Sequence, residues 1–201
     1  MNRWLLKPAV KPALFVAALL PLAALVYGAV TDTLGANPAE ALIRSTGDWA
    51  LRLLCITLAI TPLRQAIGWH ALARLRRMAG LFTVFYGTLH FTAYAWLDMG
   101  LDAAAVVADI PKRPFILVGT AALLLMLPLA ATSFDRAIRA LGGARWRALH
   151  RAVYAIALLA LLHFFWMRAG KNDFAEWTVY AVLVVALLGW RLRARLSRAT
   201  R

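Results

Sequence analysis

Acid is scarce in this chain. Nine aspartates and glutamates stand against 23 lysines and arginines, a net charge of +14. None of the nine falls at the middle of an apolar run. That argues against a proton-coupled transporter, which needs a carboxylate relay at mid-membrane. Cysteine is scarcer still, with Cys55 the single one. It permits no intrachain disulfide and no C-x-x-C-H attachment, so covalent c-type haem is excluded. No G-x-G-x-x-G follows a strand-like run, so the sequence shows no nicotinamide-binding domain. The loops, about 15–20 residues at most, leave no room for an extramembrane domain. This argues against a self-contained oxidase. The redox partner must be a quinol, a small bound cofactor or another protein. Internal repeats and low-complexity linkers are also lacking.

What is present is apolar. Hydrophobic residues make up 63% of the chain, against about half in soluble domains. Six apolar segments of roughly spanning length, ~20 residues, run near 12–31, 49–63, 79–97, 114–132, 149–168 and 175–192. The second and sixth are the shortest. Pro21, Pro62, Pro114 and Pro128 interrupt or bound them, which membrane helices tolerate. The arginines cluster at the ends of these runs, a pattern for the lipid bilayer rather than a phosphate-binding face, so no nucleic-acid partner is expected. The first segment follows Arg3, Lys7 and Lys11 in the manner of a signal peptide. It is long enough to span, and five segments follow it, so it is expected to stay. The expected architecture is an all-α integral membrane protein of six transmembrane helices forming a single bundle over residues 1–201.

Basic residues set the topology. Three in the N-terminus, four in the 64–78 loop, five in the 133–151 loop and five in the tail put 17 of the 23 on one side. Arg44, Lys112, Arg113, Arg168 and Lys171 fall on the other, and Arg52 lies within the second segment. Every acidic residue except Asp135 falls opposite the arginine-rich side. Both termini are therefore expected in the cytoplasm.

Three of the four histidines sit in apolar stretches: His90, His150 and His163. A polar ring in hydrocarbon is costly unless satisfied, and an intramembrane ionisable residue is a functional hypothesis by default. Paired imidazoles on facing apolar helices are what six-coordinate haem iron requires. His90 lies ~16 Å into the third segment and His163 ~21 Å into the fifth, at ~1.5 Å per residue. Their comparable depth in the periplasmic half predicts one haem held between two helices. The plain alternative, a hydrogen-bonded core histidine or a proton relay, suits one isolated histidine better than a matched pair.

His150 lies ~20 Å nearer the cytoplasm than His163. A second haem there needs a partner ligand, and the third segment offers Arg76 instead, 14 residues before His90 and within ~40° of the same helix face. Arginine stays protonated and is a poor iron ligand. It suits a propionate, a quinone or a flavin headgroup. His70, in GWHALARLRR, reads as a solvated loop histidine. Arg52 reads equally as snorkelling to the surface or as pairing with a haem propionate. Trp49, Trp96, Trp166 and Trp177 read as interfacial belt residues. Tyr86 and Tyr154 flank the histidines, and packing is the simpler role for both.

The stretches LGANPAE (34–40), STGDWALRLLCITLAITPLR (45–64), RRMAGLFTVFYGTLH (76–90) and RWRALHRAVY (145–154), followed by His163 and Trp166, resemble the MsrQ (YedZ) family. These are haem-binding membrane subunits of bacterial protein-methionine-sulfoxide reductase systems, within the ferric-reductase-like transmembrane superfamily. The resemblance covers nearly the whole chain. The patterns TG…TPLR, RR…GL…LH and W..LH..VY are specific in combination. They imply one ferric-reductase-like transmembrane domain with b-type haem, one or two per chain, bound by His90, His150 and His163. They imply electron transfer across the inner membrane to a periplasmic molybdopterin methionine-sulfoxide reductase that repairs envelope proteins. The donor would be the quinone pool or a cytosolic flavin reductase. FMN is implied by the resemblance alone, and no motif assigns it a site. The superfamily usually carries two histidines on the third segment. Arg76 stands at the missing position, which leaves the haem count open. A transmembrane ferric reductase or oxidase-type haem protein is the alternative within the superfamily.

Overall fold

A computed structural model describes residues 3–170 and 172–199. Lys171 and Arg201, both counted in the topology above, lie outside the described residues. Helix is the only regular structure among the described residues. The main helices are α1 (Val10–Val30), α2 (Pro38–Ala66), α3 (Ala73–Ala93), α4 (Ala103–Asp109), α5 (Pro114–Ala131), α6 (Asp135–His150), α7 (Ala152–Ala169) and α8 (Ala175–Ala199). Four described stretches are long and apolar enough to cross a membrane: Val10–Val30, Pro114–Ala131, Asp135–Ala169 and Ala175–Ser197. The expected segment 49–63 lies in α2, and most of 79–97 lies in α3. These helices have the length, 29 and 21 residues. Their charges, such as Asp48, Arg52 and Arg64 on α2, dilute the apolar character.

Local chemistry sets the helix boundaries. Asn37 caps α2 by accepting the Glu40 N–H at 3.1 Å, with Pro38 at the first helical position and Glu40 favourably placed in the positive first turn. This cap starts α2 eleven residues before the apolar run that marks it in the sequence. Gly68, at φ +71°, turns the chain after α2, and a 3-10 turn, His70–Leu72, leads into α3. The expected 64–78 loop is therefore mostly helix. So is the expected 133–151 loop, which forms α6. Its arginines, on an amphipathic helix, hide it from a search for apolar runs. Gly142, at φ +72°, breaks its helical backbone, a conformation glycine adopts without a Cβ penalty.

Two compact units divide the chain, Met1–Val107 and Ala108–Arg201. In the first, α2 packs along α3, and α1 lies against both. Leu53, Phe82 and Tyr86 form a core, with Leu19, Leu22 and Trp49 against it. Cys55 and Leu58 are buried on α2. Pro21 lies inside α1, where it removes one backbone donor and obstructs the preceding turn. The Tyr86 hydroxyl sits beside it. That hydroxyl donates to the Ala18 carbonyl at 2.8 Å and accepts the Leu22 N–H at 3.2 Å. Those two backbone groups stand one helical turn apart, so Tyr86 is a structural link from α3 to α1.

In the second unit α5 packs along α7, and α8 also packs on α7. Ile116, Ala122, Met126, Ile156, Ala157, Leu161 and Val184 are buried. Polar contacts tie neighbouring elements together. Trp177 donates its indole N–H to the Leu161 carbonyl at 3.0 Å, and Trp146 donates to the Thr132 carbonyl at 2.9 Å. Arg168, buried, pairs with Glu176 and Asp173.

Candidate functional site

His90 stands near the C-terminal end of α3 and is half-buried. Its Nδ1 lies 2.8 Å from the Ile43 carbonyl of α2. A carbonyl can only accept, so Nδ1 carries the proton and the neutral ring keeps its lone pair on Nε2. His163, on α7, is held the same way in the second unit. Its Nδ1 lies 2.6 Å from the Phe115 carbonyl of α5. Metal-bound histidines commonly have their second nitrogen fixed in this manner, which sets tautomer and ring orientation. The residues at both positions therefore fit a haem group, which each would hold through Nε2.

His150 differs. Its Nε2 lies 3.0 Å from Thr132 Oγ1, and its ring stacks on Trp146 at 4.0 Å. The Thr132 hydroxyl donates to the Pro128 carbonyl at 2.7 Å. With its one hydrogen so used, the oxygen accepts from His150, whose proton sits on Nε2 and lone pair on Nδ1. His150 thus presents the opposite tautomer. It also ties the end of α6 to the end of α5.

Among the remaining candidates, Arg76 is exposed on α3 and donates to Thr61 Oγ1 of α2 at 3.3 Å. Arg52 lies over the Trp49 ring at 4.9 Å. His70 is exposed in its 3-10 turn. Tyr154 faces the guanidinium groups of Arg191 and Arg195 at 5.6 and 5.5 Å. Of the four tryptophans read as a belt, Trp96 and Trp166 are exposed, whereas Trp49 and Trp177 pack inside their units.

Two participants escaped the sequence reading. Gly47 and Gly119 lie against the His90 and His163 rings. The signal for them was weak: a glycine interior to a helix costs about 1 kcal/mol relative to alanine and usually has a packing reason. The accepting carbonyls of Ile43 and Phe115 are backbone atoms and leave no mark in the sequence.

Comparison with known proteins bears on this arrangement. Residues 46–161 match the family model described as "Ferric reductase like transmembrane component". The class is thus a ferric-reductase-like transmembrane protein. Over 200 residues, 100% of this chain and 91% of the relative, it is 59% identical to the "Protein-methionine-sulfoxide reductase heme-binding subunit MsrQ" of Polaromonas naphthalenivorans (strain CJ2). The protein of the same name from Bordetella pertussis is 56% identical over 92% of this chain and 89% of its own length. That from Ralstonia nicotianae is 54% identical over 92% and 85%. The chain belongs to the MsrQ family. No solved structure matches it.

Proposed function

We propose that this chain is the haem-binding membrane subunit of a protein-methionine-sulfoxide reductase system. It carries electrons from a quinol or flavin-linked donor across the bacterial inner membrane to a periplasmic molybdopterin reductase. The observation that carries this reading is the pair of anchored imidazoles. His90 and His163 each have Nδ1 tied to a neighbouring helix's carbonyl and the lone pair on Nε2. Haem b, when bound, supplies a one-electron couple. The protein's part would be to hold the group through the neutral imidazoles of His90 and His163 in fixed orientation, which suits electron transfer rather than ligand binding. Arg52 is proposed to pair with a propionate, and Arg76 to bind an anionic or quinone-like headgroup at the electron entry point. His150 is the candidate ligand for a second haem, through Nδ1 if its contact with Thr132 persists. The chain would not reduce methionine sulfoxide alone.

The same reading treats residues 1–201 as one membrane domain of six spans. The family match supports this because residues 46–161 cross the division between the two units. Helices α2 and α3, at ~1.5 Å per residue, also have the ~30 Å that a span needs. Both termini are proposed to be cytoplasmic. Reporter fusions at the C-terminus and within 98–113 test this, and a periplasmic C-terminal reporter would overturn it.

An absorption spectrum of the purified chain tests the cofactor. A sharp, reducible Soret and alpha band is expected, and its absence after haem supply would refute the proposal. The pre-reduced protein should be reoxidised when the periplasmic reductase and methionine sulfoxide are added together. Sulfoxide turnover without that partner contradicts the division of labour. The description of the matching family favours a second reading, reduction of ferric chelates at the outer face. Rapid reoxidation by ferric citrate, with none by the reductase, would select it.

A further inference from the structure

We propose that Gly47 and Gly119 are positioning residues that set the orientation of the His90 and His163 rings. Gly47 follows Ile43 by four residues on α2, and Gly119 follows Phe115 by four on α5. Residues four apart share a helix face, and each Cα–Cβ bond tilts toward the N-terminus. A side chain at either glycine would therefore point back at the imidazole bound to the carbonyl one turn earlier. A Cβ on Gly47 would lie 3.0 Å from His90 Nδ1 and 3.1 Å from Cε1. A Cβ on Gly119 would lie 2.8 and 3.0 Å from the same atoms of His163. Both distances are below ordinary van der Waals contact. The carbonyl grips the Nδ1–Cε1 edge of each ring, and the bare glycine lets the helix come close enough for that bond to form. Gly28, Gly80 and Gly143 also have close neighbours, but these belong to leucine, threonine or arginine side chains and not to a histidine.

Helix propensity would favour alanine at both positions by about 1 kcal/mol. Glycine stands there against that preference, in the same place relative to the carbonyl, in both units. An added methyl must displace the imidazole, and with it the direction in which Nε2 points. The proposal rests on the haem reading above, but its geometry can be tested without haem.

The test uses the full chain in two arms. In the first, Gly47→Ala, Gly119→Ala and the control Gly189→Ala are loaded with haem. Gly189 is helical and has nothing within 4 Å of its would-be Cβ. Displaced low-spin EPR g-values are expected for the first two. Haem retention should weaken by about tenfold, as for other changes behind a metal ligand. The effect should be larger at Gly119, where the approach is closer, and absent in the control. Wild-type spectra and retention in both variants, or an equal shift in the control, would overturn the proposal. The second arm is a double-mutant cycle on thermal stability without added haem. Gly119→Ala should lower the melting temperature in the native background and raise or spare it when His163 is alanine, because the clash has then gone. Gly47→Ala should behave likewise with His90→Ala. Additive effects would refute the contact. If the cycle shows coupling while the native chain takes up no haem, the haem reading fails and the positioning role stands.

Discussion

In the first unit the helix that carries His90 is held along its length by apolar packing. Leu53, Phe82 and Tyr86 form the core around it, and a tyrosine hydroxyl reaches into α1. In the second unit the helix that carries His163 packs along α5, and polar side chains also tie it to its neighbours. Trp177 bonds the Leu161 carbonyl, and Arg168 pairs with Glu176. Yet the two imidazoles are anchored alike, each by a carbonyl with a glycine one turn beyond. The local device does not depend on how its helix is supported. What a metal-binding histidine requires is a fixed tautomer and a fixed ring plane, and a pair of helix backbones can supply both.

The largest expected effect would break the likeness outright. His90→Ala and His163→Ala should each abolish the low-spin EPR signal. Their matched depth in the sequence predicts loss of the same signal in both variants, measured with haem content per chain. Loss of two distinct signals would mean that each histidine serves its own iron. His150→Ala should spare that signal and remove at most a second, inner centre. Its opposite tautomer already sets it apart.

Tyr86→Phe addresses the packing side of the contrast. It strips a partner from the Ala18 carbonyl and the Leu22 N–H, and an unsatisfied buried polar group costs about 1–3 kcal/mol. A clear fall in melting temperature is expected, with the haem spectrum kept if haem is still bound. An unchanged melting temperature would show that α1 closes its own turn past Pro21. The remaining site candidates also differ between the units, with Arg76 in the first and His150 in the second. Arg76→Ala should slow reduction by a quinol by about tenfold, the equivalent of ~1.4 kcal/mol. Stopped-flow reduction at an unchanged rate would remove Arg76 from the entry point. The smallest effect belongs to Trp177→Phe, which loses one hydrogen bond, about 1 kcal/mol. A larger loss in thermal denaturation would mean that the packing of α8 on α7 depends on Trp177 more than one bond suggests.

The sequence shows some elements of this fold plainly and hides others for identifiable reasons. The segments 12–31 and 114–132 fall within two residues of α1 and α5, because no charge interrupts their apolar runs and Pro114 marks one start. The first third of α2 is invisible to hydropathy. Glu40, Arg44 and Asp48 make it polar, and only the Asn37–Pro38 cap announces it. Helix α6 is hidden by its arginines in the same way. The imidazoles stood out because a ring that can ionise is rare in an apolar run. Their acceptors could not, since a carbonyl is common to every residue. The Thr132 contact that separates His150 from the others depends on a hydroxyl 18 residues away in sequence.

Cys55 has one more consequence. It is the only cysteine of the chain and is buried among the α2 side chains, 4% exposed. Thiol reagents applied to the folded protein should therefore find almost nothing to label. The natural chain is in effect its own blank for accessibility mapping, with no need to remove a native thiol. A cysteine introduced at Ala71 or Ala104 would supply the sole reactive group. The sidedness of each segment could then be recorded one residue at a time on an otherwise unaltered protein.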